Sequence, residues 1–158
     1  MTKLRFIDLF CGIGGFRQAL APRGHQCVMS SDWDPHAQSV YLMNYGESPL
    51  GDLTRLSVEE VPPHDLLCGG FPCQPFSISG NRLGFEDARG TLLQEILRIA
   101  KARKPAALLL ENVRNYLAHD DGRTLAATND LLRLCGYEVF HQTLNASHFG
   151  VPQRRERL

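Results

Sequence analysis

Three short segments of the 158-residue chain contain residue types that can do chemistry. Cys73 lies between two prolines in a stretch rich in Gly and Ser. Exposure there favours a reactive thiol over the buried cysteine that is the commoner alternative. Glu111 ends an otherwise apolar run, where desolvation favours the protonated carboxyl of a general acid, a loop cap being the alternative. The sequence therefore predicts a nucleophile and a proton donor.

The third segment is the glycine cluster Phe10-x-Gly12-x-Gly14-Gly15, which follows a strand-like run and precedes a helix-like one. Glycines at such a position let backbone N–H groups approach a ligand closely. An ordinary tight turn has the same pattern, so the cluster alone does not identify a ligand site.

Three carboxylates and the single tryptophan can complete a ligand site with this turn. Asp32 follows Gly12 by 20 positions, a spacing at which a carboxylate accepts ribose hydroxyls. Trp33 offers a flat face to adenine; the alternative is that it packs in the core. Asp52 offers an acceptor to the adenine amino group; the alternative is that it only forms a turn. Asp8 can face an ammonium or sulfonium group. Carboxylates and glycine amides without a phosphate-binding lysine favour S-adenosylmethionine over a polyphosphate.

Composition limits the classes of protein to which the chain can belong. It is 43% hydrophobic and 22% charged, with 17 basic and 17 acidic residues, as in one ordinary globular domain. The longest apolar run, from Ala106 to Leu110, is far too short for a membrane span, and no secretory signal is evident. Five cysteines without a Cys-x-x-Cys pair argue against disulfides and a zinc site. We therefore expect a soluble intracellular protein with no metal.

Alternating strand and helix patterns must position these residues. Strands are predicted at Leu4–Leu9, Cys27–Ser31, just before Gly51, and at Asp65–Cys68, Pro105–Leu110 and Tyr137–Leu144. Helices are predicted from the glycine cluster to about Leu20, and at Pro35–Asn44, Gly90–Lys104 and Leu125–Leu134. The alternation predicts a mainly parallel, doubly wound α/β sheet that binds ligands at the carboxyl ends of its strands. The aperiodic stretch from Phe71 to Arg89 predicts a long functional loop.

Motifs in the same order resemble those of the DNA (cytosine-5) methyltransferases, most closely the bacterial restriction–modification methylases. They are Phe71-Pro72-Cys73-Gln74-Pro75-Phe76-Ser77, Glu111-Asn112-Val113 and Gln153-Arg154-Arg155-Glu156-Arg157. The stretch from Asp8 to Phe16 is similar to the cofactor motif of that family. The resemblance covers essentially the whole chain and implies the Rossmann-like fold of S-adenosylmethionine-dependent methyltransferases.

The resemblance also implies a covalent mechanism. Cys73 would add as a thiolate to C6 of cytosine, and Glu111 would give or share a proton at N3 while C5 takes up the methyl group. Arg157, together with Arg155, would hold the cytosine and orient these two residues; without the motif, both arginines would be interpreted as a solvated basic tail. Because this chemistry is impossible within stacked DNA, the target base must be flipped out.

Binding roles follow from the same resemblance, position by position. The implied cofactor contacts are Asp8, Phe10, Gly12, Ile13, Gly14, Gly15, Asp32, Trp33, Asp52, Leu53, Pro72 and Leu92. The implied DNA contacts are Gln74, Ser77, Ser79, Arg82 and Arg89. Asp32 stands where relatives often carry Glu, and its shorter side chain would loosen ribose binding.

Members of the family continue beyond the Arg-x-Arg motif with a last strand of the sheet, a target-recognition domain and a closing segment. We therefore interpret residues 1–158 as the N-terminal part of the catalytic, cofactor-binding domain, without that strand and domain. Such a chain is one subunit of a split enzyme whose second chain supplies the rest, a truncated product without turnover, or a binding module. We expect it to be weakly active or inactive alone and to regain methyl transfer when a C-terminal half complements it. A tRNA cytosine-5 methyltransferase is a further alternative. The expected partner is double-stranded DNA, at the nucleoid of a bacterial cytoplasm and not at a membrane.

Overall fold

A computed structural model describes residues 2–71 and 92–158 of the chain. These residues form two units, one of residues 2–71 with 98–110 and the other of residues 92–97 with 111–158. The predicted long loop lies, after Phe71, outside the described residues. The same holds for several predicted site residues, namely Pro72, Cys73, Gln74, Ser77, Ser79, Arg82 and Arg89.

The main sheet has four strands in the order β2-β1-β3-β4. They are β1 (Arg5–Leu9), β2 (Gln26–Ser31), β3 (Leu66–Gly70) and β4 (Ala107–Glu111). The central strand β1 pairs in parallel with β2 on one side and with β3 on the other. Its consecutive residues Phe6 and Ile7 are both fully buried, so both faces of the sheet are covered there, which explains the continuous apolar run. The predicted parallel α/β fold is confirmed.

Helices connect these strands at the predicted places. They are α1 (Gly15–Leu20), α2 (Pro35–Tyr45) and α3 (Leu92–Arg103). Helix α2 begins because the Asp34 carboxylate accepts the backbone N–H of His36 at 2.8 Å and Pro35 fixes the first turn, and it ends at Gly46 with φ 71°. The predicted apolar stripe of α3 is buried; it consists of Leu93, Ile96, Leu97 and Ala100.

The strand predicted before Gly51 is wrong. Only Leu50 pairs with the sheet there, as a single parallel bridge to Ser31. Its N–H donates to the Ser30 carbonyl at 2.8 Å, and its carbonyl accepts the N–H of Asp32 at 2.9 Å. The preceding residue is Pro49, which has no N–H to extend the ladder, so pairing stops at one residue.

The second unit consists of α4 (Arg123–Leu134), several short 3₁₀ turns and two antiparallel two-residue strands, β5 (Leu144–Asn145) and β6 (Glu156–Arg157). A buried hydrogen bond of 2.6 Å between the hydroxyls of Tyr116 and Thr128 ties the turn at Arg114–Leu117 to α4. Helix α4 confirms the predicted helix over Leu125–Leu134 and begins two residues earlier.

The strand predicted over Tyr137–Leu144 is also wrong for all but its last residue. Its alternation persists in burial, since Tyr137 and Val139 are half-buried while Glu138 and Phe140 are exposed. An alternating pattern forms a strand only where a neighbouring backbone completes the ladder, and among the described residues only Leu144 has such a partner, in Arg157. No helix in the described ranges has the length and apolar character needed to cross a membrane.

Candidate cofactor and catalytic sites

The glycine cluster forms a turn after β1 in which several residues have a left-handed backbone conformation. Phe10, Gly12 and Gly14 have φ values of 55°, 54° and 95°. The Cys11 N–H donates to the Ser31 carbonyl of β2 at 3.0 Å, which fixes the turn beside the end of that strand. Glycine adopts such φ values freely, whereas Phe10 does so at a cost of about 1–2 kcal/mol. Strained backbone conformations of this kind are maintained by surrounding contacts and are often found at functional sites.

Asp32 and Gly12, 20 positions apart in the sequence, are brought together by the fold. One carboxylate oxygen of Asp32 accepts the Gly12 N–H at 2.7 Å, and the other accepts the N–H of Asp34 at 2.9 Å. A carboxylate has about four acceptor sites, so each oxygen can still accept another donor such as a ribose hydroxyl. Asp32 thus connects the glycine turn to the end of β2.

Asp8 is a fully buried carboxylate on β1. Neither of its oxygens accepts a hydrogen bond of normal geometry from the described residues. Burial raises the pKa of Asp8 to about 7, and the charge of Asp32 adds to the shift, while the backbone N–H and guanidinium of Arg17 oppose it. A cation bound beside such a carboxylate would stabilise its charged form, so the observation is compatible with the ammonium or sulfonium predicted from the sequence.

Two hydrophobic side chains near the turn, those of Ile13 and Trp33, are exposed, whereas Phe10 is half-buried. Trp33 is 78% exposed and Ile13 is 61% exposed, so the alternative that Trp33 packs in the core is wrong. An exposed indole at the end of β2 is available to a flat ring such as adenine. By contrast, Leu53 is buried, and Leu92 is half-buried at the first position of α3.

Asp52 forms a turn, which was the predicted alternative to a contact with adenine. One carboxylate oxygen accepts both the N–H and the hydroxyl of Thr54, at 2.9 and 2.8 Å, and begins the 3₁₀ turn Leu53–Arg55. These hydrogen bonds lower the pKa of Asp52, so the carboxylate is held in its charged form. Its other oxygen lies 3.7 Å from Nε of Arg55. The adenine contact of Asp52 stays a prediction.

In the second unit, Glu111 and Arg157 form an ion pair, with Nε of Arg157 2.9 Å from a carboxylate oxygen of Glu111. The backbones of the next residues, Asn112 and Leu158, exchange two reciprocal hydrogen bonds of 2.8 and 2.9 Å. Val113 lies opposite Arg157 in an antiparallel bridge. The pairing of these segments brings together two predicted catalytic residues that are distant in the sequence. The predicted desolvation of Glu111 is not found among the described residues, since its side chain is 37% exposed.

A second ion pair lies beside the first. Arg114 contacts Glu156 at 2.6 Å, and Arg154 approaches the same carboxylate at 3.9 Å. The side chain of Arg155 is exposed, and its backbone N–H donates to the Asn145 side chain at 3.1 Å. Arg155 is thus held at β5, and its predicted contact with cytosine stays a prediction.

Two residues near the glycine turn were missed by sequence reasoning. The Tyr45 hydroxyl donates to the Gly14 carbonyl at 3.0 Å, and the Arg17 guanidinium lies 4.7 Å from the centre of the Tyr45 ring. The available signal was the spacing of Tyr41 and Tyr45, which at i and i+4 share one face of a helix.

The chain is similar in sequence to known proteins. The family described as "C-5 cytosine-specific DNA methylase" matches residues 4–158. The chain is 51% identical over 158 residues to the Type II methyltransferase M.HhaI of Haemophilus parahaemolyticus, and covers 48% of it. It is also 51% identical to the Type II methyltransferase M.HaeII of Haemophilus aegyptius, again over all of this chain and 50% of that protein. The chain thus spans about half the length of these relatives.

The fold of this chain is also similar to those of solved structures. The S. pombe Dnmt2 methyltransferase has a TM-score of 0.76 and 27% identity, covering 98% of this chain and 49% of that one. A putative prophage-encoded DNA modification methyltransferase of E. coli has a TM-score of 0.75 at the same identity, covering 98% and 45%. Since the family match includes nearly every residue, the chain belongs to the C-5 cytosine-specific DNA methylase family.

Proposed function

We propose that this chain carries the cofactor-binding and catalytic residues of an enzyme that methylates C5 of cytosine in DNA. The observation that most directly supports the proposal is the pairing of Glu111 with Arg157 at 2.9 Å. The pairing joins the Glu-Asn-Val and Arg-x-Arg motifs into one arrangement, and a carboxylate beside a guanidinium is suited to hold and orient a flat polar base.

In this proposal the Cys73 thiolate adds to C6 of the flipped cytosine, so that a carbon–sulfur bond forms and electron density moves to N3 and C5. Glu111 shares its proton with N3 and neutralises the developing charge. After C5 has taken up the methyl group, the C5 proton leaves to water, the N3 proton returns to Glu111, the carbon–sulfur bond breaks and the Cys73 thiolate is regenerated. Arg157 orients Glu111 and the base throughout.

The cofactor in this proposal is S-adenosylmethionine, which when bound supplies an electrophilic methyl group on its sulfonium. Asp8 would face the positive charge, and the turn at Gly12 and Gly14 would contact the amino-acid end. Asp32 would accept ribose hydroxyls, and Trp33 would stack on adenine. The buried carboxylate of Asp8, which has no hydrogen bond of normal geometry within residues 2–71 and 92–158, and the exposed face of Trp33 support this assignment.

The remaining site assignments follow the family motifs. Phe10, Ile13, Gly15, Asp52, Leu53, Pro72 and Leu92 complete the proposed cofactor contacts, and Arg155 is a second arginine for the base. Gln74, Ser77, Ser79, Arg82 and Arg89 contact duplex DNA. Residues 1–158 are then the cofactor-binding part of the catalytic domain, and the DNA sequence is read by other parts of the active enzyme.

A covalent trap tests the catalytic proposal. DNA containing 5-fluorocytosine lacks the proton that must leave C5, so an adduct formed in the presence of S-adenosylmethionine persists and is detected by its mass. We expect an adduct with the unaltered protein when a complementing C-terminal half is present, and none with Cys73→Ser under the same conditions. The matched control is Cys135→Ser, because Cys135 is a cysteine that forms no disulfide among the described residues.

The other outcomes each have a defined meaning. An adduct that persists in Cys73→Ser contradicts the assigned nucleophile. Cofactor binding without any adduct favours a binding module over an enzyme. Methyl transfer to tRNA in preference to DNA, followed with radiolabelled cofactor, favours the tRNA methyltransferase alternative.

A further inference from the structure

We infer that Tyr45 is a positioning residue for the glycine turn, held in place by Arg17 and Glu47, and that it acts selectively on the affinity for the amino-acid end of the cofactor. The inference rests on the proposed function, because it concerns the cofactor that the proposal assigns. It is carried by contacts within the first unit only.

The contact between Tyr45 and the turn is direct. The Tyr45 hydroxyl donates to the Gly14 carbonyl at 3.0 Å, and the same carbonyl accepts the N–H of Gln18 at 2.8 Å as the first hydrogen bond of α1. A Cβ on Gly14 would lie 2.3 Å from Cε2 of Tyr45. The ring therefore occupies the space that any side chain at Gly14 would need, and it fits the left-handed φ of 95° at that glycine.

Arg17 holds the Tyr45 ring from the side of α1. Its guanidinium lies 4.7 Å from the centre of the Tyr45 ring and 5.5 Å from that of Tyr41. It also donates to a Glu47 carboxylate oxygen at 2.7 Å and to the Tyr41 hydroxyl at 3.2 Å. The Arg17 side chain is only 13% exposed, so these cation–π and charged contacts are partly shielded from water.

Helix α1 needs this support because neither burial nor a side-chain cap from the described residues stabilises it. It has six residues, none of them buried, and no side chain in the described part of the chain caps its first turn. Isolated helices shorter than about 12 residues are marginal in water. The shape of the turn and the first turn of α1 therefore depend on the contacts that Tyr45, at the end of α2, makes with Gly14 and Arg17.

The two halves of the proposed cofactor site are joined where Asp32 accepts the Gly12 N–H, but Tyr45 contacts only one of them, at Gly14. The adenosyl half depends on Asp32 and Trp33 at the end of β2, where Asp32 accepts two backbone N–H groups. The amino-acid half depends on Gly14 and the neighbouring turn, which Tyr45 supports. Loss of the Tyr45 hydroxyl is thus expected to affect one half of the ligand more than the other.

The test is Tyr45→Phe, with binding followed by the fluorescence of Trp33, the single tryptophan of the chain. S-Adenosylhomocysteine is compared with adenosine, which lacks the amino-acid end. Because one hydrogen bond is lost, we expect the Kd of S-adenosylhomocysteine to rise about fivefold while that of adenosine changes by less than about twofold. The matched control is Tyr116→Phe, which removes a 2.6 Å hydroxyl contact to Thr128 in the second unit.

A measurement without ligand separates this inference from the proposed function. Tyr45→Phe should speed amide hydrogen exchange of Gln18 and shift the amide resonances of residues 12–18, and Tyr116→Phe should do neither. An unchanged turn, or equal losses of affinity for both ligands, overturns the positioning role. Failure of the unaltered protein to bind S-adenosylhomocysteine contradicts the proposed cofactor site itself.

Discussion

Nε of Arg157 lies 2.9 Å from a carboxylate oxygen of Glu111, and the two side chains are 27% and 37% exposed. A pair with this exposure contributes at most about 1 kcal/mol to stability. The reciprocal hydrogen bonds between Asn112 and Leu158 hold the two segments together whether or not the pair forms. The pair is therefore better suited to orienting a carboxyl group than to stabilising the fold.

Replacement of the acid should separate catalysis from stability. In Glu111→Gln the side chain keeps its size but cannot give up a proton, so the rate of adduct formation with 5-fluorocytosine DNA should fall by about 10²–10⁴-fold. The thermal midpoint and the affinity for S-adenosylhomocysteine should stay close to those of the unaltered protein. An adduct rate within about threefold of the original would remove Glu111 from the proposed chemistry.

The neighbouring pair of Arg114 and Glu156 allows a charge-swap experiment. Both single reversals, Arg114→Glu and Glu156→Arg, place like charges opposite each other in antiparallel segments, which disfavours the register that sets Arg157 against Glu111. We expect each reversal to lower the adduct rate about tenfold, and the double reversal to recover most of it. The surface pair Arg133 and Asp130 in α4, at 3.1 Å, is the matched control, and its reversal should leave the rate unchanged. Equal rates in single and double reversals of Arg114 and Glu156 would refute the coupling.

The sequence was informative where local patterns decide the structure. The glycine cluster, the run before Glu111 and the stripe of α3 each have a periodicity or residue type that fixes a turn, a strand or a helix. The spacing from Gly12 to Asp32 also predicted two residues that the structure joins at 2.7 Å.

The failures share a different cause, because they depend on partners distant in the sequence. Tyr137–Leu144 has strand alternation, yet only its last residue pairs with a described strand. The support of Gly14 by Tyr45 was not predicted, since nothing local links a helix end to a turn 31 residues earlier.

A stability prediction follows from the end of α3. Lys104 has φ 47°, a left-handed conformation that side chains with a Cβ adopt at a cost, and its N–H donates to the Ala100 carbonyl at 2.9 Å. Lys104→Gly should raise the free energy of unfolding by about 0.5–1 kcal/mol, measured by urea denaturation. Lys104→Ala removes the same side chain but keeps the Cβ, so it should bring no gain. Equal effects of the two substitutions would mean that the backbone at this residue is unstrained.

Trp33 should matter for binding and not for folding. Because its side chain is 78% exposed, Trp33→Ala should leave the urea midpoint nearly unchanged. Loss of one stacking contact should raise the Kd of both S-adenosylhomocysteine and adenosine about tenfold, as measured by calorimetry. Met43→Ala is the matched control, since Met43 is 75% exposed on α2 and has no assigned contact. Undiminished affinity in Trp33→Ala would exclude the indole from the adenine site.

The raised pKa of Asp8 predicts how the stability of the ligand-free protein depends on pH. The folded protein keeps Asp8 protonated up to about pH 7, whereas the unfolded chain ionises near the ordinary value of 3.8. Between these values the folded state binds more protons, so its stability falls as pH rises from about 4 to about 7, by at most about 4 kcal/mol. Asp8→Asn lacks this titration, so its stability relative to the unaltered protein should increase over the same interval and level off above it.

Cofactor binding should lower the pKa of Asp8, which burial raises. An ammonium group beside Asp8 favours the ionised form, so binding of S-adenosylhomocysteine near pH 7 should release a fraction of a proton and strengthen as pH rises. Adenosine has no ammonium group, so its binding should release none through Asp8. Calorimetry in buffers of different ionisation enthalpy measures this difference, and Asp8→Asn should abolish it. If the proton release were the same for both ligands, or persisted in Asp8→Asn, the buried carboxylate would not be the counter-ion of the bound amino-acid end.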